Sequence, residues 1–131
     1  MLNTAHLFFP ARFSVDDIRK ALESAGFQNK DSYGIVSIPP DRHVRFKLFN
    51  VKDDPDLLES LQAHSINVDD LNKQLVWMEM SSAEKEGKLA VATCTKLLTE
   101  LEGSFLIDEN DRVYYLGDII QLAEEKKGFY S

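Results

Sequence analysis

Apolar and polar residues repeat with two different periods along this chain, and the switches between them mark out its elements. "TAHLFFP" (4–10) is short, apolar and aromatic, and predicts a first strand stopped by Pro10. From Ser14 the period lengthens, with Ile18, Ala21, Leu22 and Ala25 at i, i+3, i+4 and i+7 behind a serine N-cap. Asp16 and Asp17 sit at the positive end of that helix dipole, and Gly26 supplies the stop. A helix over 14–25 follows.

"SYGIVSIPPDRHVRFKLFNV" (32–51) predicts two strands joined around Pro39, Pro40 and Asp41, since proline interrupts sheet bonding and Asp favours turns. In the second strand Val44, Phe46 and Leu48 alternate with His43, Arg45 and Lys47, so one face packs inward and the other carries a cationic row. "DDPDLLESLQAHS" (53–65) is a helix start, with Asp54 as N-cap and Pro55 at the first helical position, giving a helix over 55–63. "NVDDLNKQL" (67–75) echoes "SVDDIRKAL" (14–22), which reads as shared capping chemistry, not duplication.

Residues 75–80 fit either a strand or a helix continued from Val68; the strand is preferred because Ser81 and Ser82 punctuate it ahead of a helix from about Ala83 to Leu101, with Ala90, Cys94, Leu97, Leu98 and Leu101 on one stripe. Gly103 ends it. "SFLID" and "RVYYLGDII" are β-rich runs around "ENDR" and predict a hairpin. A last aromatic strand at Phe129 and Tyr130 closes a polar tail. The resulting order predicts a single α+β domain over residues 1–131: a two-layer sandwich with a mostly antiparallel sheet and helices packed on one face.

Composition narrows the class. Hydrophobic residues are 44% and charged residues 28% of 131, the balance of an ordinary folded domain. No segment approaches a membrane span, and the start lacks the pattern of a signal peptide, so the cytoplasm is the expected compartment. One cysteine, Cys94, agrees with reducing surroundings. The net charge of −7 lies mostly in the second half, where residues 66–131 carry 7 basic and 13 acidic side chains against 8 and 9 before. That field disfavours nucleic acid and favours a basic protein partner, or simply aids solubility.

Candidate chemistry is sparse. Asp108, Asn110 and Asp111 suggest hard-cation ligands, but a calcium loop counted from Asp108 would need glycine at its sixth position and glutamate at its twelfth, where Val113 and Ile119 stand. His6, His43 and His64 are far apart and lack a cysteine pair, which argues against zinc. Cys94 falls on an apolar stripe and reads as core. No nucleophile or phosphate-loop motif occurs, so neither an enzyme nor a cofactor protein is expected.

The stretch "LVWMEMSSAEKEGKLAVATCTKLLTELEGSFLIDENDRVYYLGDII" (75–120) resembles the closing half of small bacterial immunity proteins of polymorphic toxin systems, of the SitI type. The resemblance implies a non-catalytic protein that binds and neutralises a cognate toxin or enzyme; the sequence itself leaves monomer and homodimer both open. The contacts expected from the residues themselves are Asp108, Glu109, Asp111, Tyr114, Tyr115 and Asp118, with Trp77 and Glu79 as neighbours: acids and aromatics of the kind that anchor interfaces. The alternative is a regulatory module that binds a small anion on His43, Arg45 and Lys47.

Overall fold

The computed structural model describes residues 3–29, 35–37, 44–80 and 83–130. Its elements are β1 (Asn3–Phe8), α1 (Val15–Ser24), β2 (Gln28–Asn29), β3 (Ile35–Ser37), β4 (Val44–Asn50), α2 (Pro55–Ala63), β5 (Gln74–Met80), α3 (Ala83–Glu100), β6 (Phe105–Asp108), β7 (Val113–Tyr114) and α4 (Leu116–Glu124). Seven strands form one sheet in the order β2-β3-β4-β5-β1-β6-β7, and every neighbouring pair is antiparallel. The fold is α+β.

Local chemistry places α1 and α2 as the sequence expects. The Ser14 hydroxyl accepts the Asp17 N–H at 3.1 Å, while the Asp17 carboxylate accepts the Ser14 N–H at 2.8 Å, so both ends of a capping box are closed. Gly26, at φ +96°, takes the left-handed turn that ends α1. In α2 the Asp54 carboxylate accepts the N–H groups of Asp56 and Leu57, and Pro55 opens the first turn.

The sheet separates two cores. Leu7, Phe46, Val76, Met78 and Leu106 point to one face, where Ile18 and Leu22 of α1, Cys94, Leu97 and Leu98 of α3, and Ile119 of α4 close over them. Phe27 meets Phe46 edge-on at 4.7 Å. The alternate residues Phe8, Leu75, Phe105 and Ile107 point the other way and are covered by Leu57 and Leu61 of α2, with Val51 and Leu71. Three helices thus form the main second layer, and α2 caps part of the opposite face. Among the described residues, no helix covers the rest of that face beside β4, β5 and β1.

Two expectations change at the C-terminal end. The run "RVYYLGDII" is strand only through Tyr114: Leu116–Glu124 forms α4, because Leu116, Ile119, Leu122 and Ala123 recur at helical spacing and the Asp118 carboxylate accepts the Tyr115 N–H at 2.9 Å. Phe129 and Tyr130 are not strand either; they lie in a turn, with Phe129 buried against Tyr114 and Tyr130 at φ +62°. The echo at 67–75 gives one 3-10 turn, Val68–Asp70, before the chain enters β5. The turn at Pro39, Pro40 and Asp41, and the serines at 81 and 82, fall outside the described residues.

Candidate functional site

The β6–β7 connection is organised by Asp108. Its backbone N–H donates to the Arg112 carbonyl at 3.0 Å, and its carboxylate accepts the N–H groups of Asn110 at 2.9 Å and Arg112 at 3.0 Å. Asp108 is only 9% exposed, so its charge serves the turn and is not available to a partner. Asp111 takes φ +62°, a conformation Asp tolerates, and its side chain accepts from the Ser60 hydroxyl and faces His64 Nε2 at 3.4 Å. The α2 helix and this turn are thereby tied together.

Glu109 reaches back to β1, where its carboxylate accepts the Thr4 N–H at 2.7 Å and the Thr4 hydroxyl at 3.0 Å. The Tyr130 hydroxyl accepts the Glu109 N–H at 2.8 Å and donates to the Thr4 carbonyl at 2.5 Å. Burial raises the Tyr130 phenol well above its ordinary range, so it remains a neutral donor.

The tyrosine pair divides. Tyr114 is 7% exposed, packed edge-on against Phe129 at 5.6 Å with the Arg112 guanidinium over its ring at 4.5 Å. It belongs to the core and makes no surface anchor, contrary to expectation. Tyr115 is 52% exposed, with its ring 5.8 Å from Phe105 at the margin of the second core. Asp118 spends its carboxylate on the start of α4. Of the eight expected contact residues, Asp108 and Tyr114 are therefore internal, while Glu109, Asp111 and Tyr115 present surface.

The remaining two, Trp77 and Glu79, lie on the open sheet face. The β4–β5 register sets Arg45 opposite Glu79 and Lys47 opposite Trp77, and the β1–β5 register sets His6 beside Trp77. Arg45, Lys47, Trp77 and Glu79 line a shallow groove of about 130 Å³. His43, the third member of the cationic row, lies outside the described residues.

A second hollow, about 230 Å³, opens between α2, β1 and the β6–β7 turn. Asp54, Asp56, Asp108, Glu109 and Asp111 line it together with Thr4, His6 and Ser60, and no lysine or arginine does. Burial holds the His6 imidazole below its usual pKa, with the nearby Asp54 charge acting in the opposite sense. Asp54, Asp56, Thr4 and His6 escaped the sequence reading: "DDPD" is fully explained as a cap, and only the sheet order brings it to the turn.

Among the described residues, no group of three or more His, Cys, Asp or Glu side chains is arranged to hold a metal ion. Cys94 is fully buried, with its sulfur 3.8 Å from that of Met78, and burial pushes its thiol far above the range in which a thiolate forms. No described helix is long and apolar enough to cross a membrane. The exposed side chains offer charge, an aromatic edge and hydrogen-bond acceptors. Comparison with protein-family models, with curated proteins and with solved structures returned no match.

Proposed function

We propose that this chain is an immunity-type inhibitor: it binds a cognate toxin or enzyme of the same bacterial cell, in the cytoplasm, and blocks it without chemistry of its own. The observation that supports this reading best is the hollow lined by Asp54, Asp56, Glu109 and Asp111 beside the turn-closing Asp108, with no lysine or arginine, and with exposed Tyr115 just beyond the same hairpin. Three of those carboxylates, on Asp56, Glu109 and Asp111, belong to exposed residues. They would attract the Lys and Arg side chains of a basic partner, and the chain's net charge of −7 would steer the encounter. Tyr115 gives the contact an aromatic anchor at low entropic cost.

The resemblance of residues 75–120 to immunity proteins agrees in kind, since such proteins act by occlusion. The experiment is capture on the tagged chain from the cells that produce it, followed by assay of the captured protein. A stoichiometric partner with a basic surface, whose activity this chain suppresses, is the expected result. A partner whose activity is unaffected by saturating amounts of the chain would overturn the inhibitor reading.

A further inference from the structure

The open half of the second sheet face is basic, and the helix that covers the other half is acidic on its outside. Arg45 and Lys47 stand exposed on β4, flanking half-buried Trp77, with Glu79 as the single acid of that groove. On α2, Leu57 and Leu61 turn inward, which leaves Asp56 and Glu59 exposed on the outer surface. Among the described residues, none of Arg45, Lys47, Asp56 and Glu59 makes an ion pair. The open floor from β4 across β5 to β1 is about 10 Å wide, the breadth of one helix.

We propose that this floor receives α2 of a second copy, forming a two-fold symmetric homodimer. In an isologous contact the same pair of surfaces meets twice, so the acidic α2 of each copy lies on the basic strand of the other. Shape agrees with charge: each copy offers one helical ridge and one floor of helical breadth. Trp77, partly exposed in one copy, becomes the desolvated anchor beneath the partner's helix. An acidic helix from an unrelated protein is the competing occupant, and the symmetry separates the two.

The test is sedimentation velocity on the full chain. The wild type sediments as a dimer that dissociates as salt is raised. The variant Arg45→Glu/Lys47→Glu places acid against acid and sediments as a monomer; Asp56→Lys/Glu59→Lys places base against base and does the same. Mixing the two restores a dimer, since both contacts of the mixed pair are again of opposite sign. All four positions are exposed, and thermal melts check that each variant is folded. A monomeric wild type, or a dimer that neither variant disturbs, overturns the proposal, as does failure of the mixture to pair. Asp56 also lines the acidic hollow, so it is the Arg45→Glu/Lys47→Glu variant, which leaves Asp56, Glu109, Asp111 and Tyr115 intact, that separates the dimer from the inhibitor reading.

Discussion

Gly128 and Gly87 are packed backbone against backbone: a Cβ built on Gly128 would lie 2.6 Å from the Gly87 carbonyl carbon and 2.8 Å from its Cα. This contact seats the C-terminal turn on α3 and brings Phe129 into the main core, where it is 1% exposed. Tyr130 is thereby held where its hydroxyl can join Glu109 to Thr4. A glycine pair far from the proposed contact surface thus supports one of its carboxylates.

Gly128→Ala should destabilise by about 1–3 kcal/mol, because the clash is with backbone that cannot swing aside. Gly117→Ala is the control: its Cβ meets nothing within 4 Å, and it lies in α4, where alanine should stabilise by up to about 1 kcal/mol. Denaturant melts of the two variants should move in opposite directions.

Tyr130→Phe removes one hydrogen bond to each of two backbone groups, the Glu109 N–H and the Thr4 carbonyl. The expected loss is about 1–2 kcal/mol of stability. Amide exchange at Glu109 should accelerate more than at Leu7 in the centre of β1, and equal acceleration at both would mean that the hydroxyl does not tie the turn locally.

His6 sets a pH dependence. Burial lowers its folded pKa below the unfolded 6.5, so the unfolded chain binds the proton first as pH falls. The neutral-His contribution is complete above pH 6.5 and is lost as pH drops below it toward the folded value. Stability should therefore decline as pH falls below the unfolded value of 6.5, and His6→Gln should flatten that part of the profile. An unchanged slope in the variant would assign the decline to another group.

Cys94 should resist thiol reagents in the native protein and react completely in denaturant, since its sulfur is buried and its thiol strongly favoured over the thiolate. Rapid native labelling, counted by mass spectrometry, would place the residue outside the core stripe.

Much of this fold was legible from local chemistry. Ser14 with Asp17, and Asp54 with Pro55, each announce a helix because the cap and the apolar spacing agree. The α4 segment misled because Tyr114, Tyr115, Ile119 and Ile120 are strong β formers, while its start signal is a single acid, Asp118, three residues past the capping position Tyr115 to which it bonds back. The candidate surface was harder to read. Asp108, Glu109 and Asp111 are adjacent acids in sequence, but strand register decides which one closes the turn and which ones face outward. His6 joined them through the pairing of β1 with β6, and Asp56 through the docking of α2, whose Ser60 bonds Asp111, contacts that no local pattern encodes.

The proposed recognition of a basic protein by the acidic surface beside α2 is read by the association rate of the captured partner. Glu109→Gln and Asp111→Asn together keep oxygen acceptors at Thr4 and Ser60 while removing two charges. Measured by stopped flow at low salt, the double variant should associate about tenfold more slowly than wild type, with the difference shrinking as salt is added. Equal rates for the two proteins at low salt, with both equally stable, would contradict the claim.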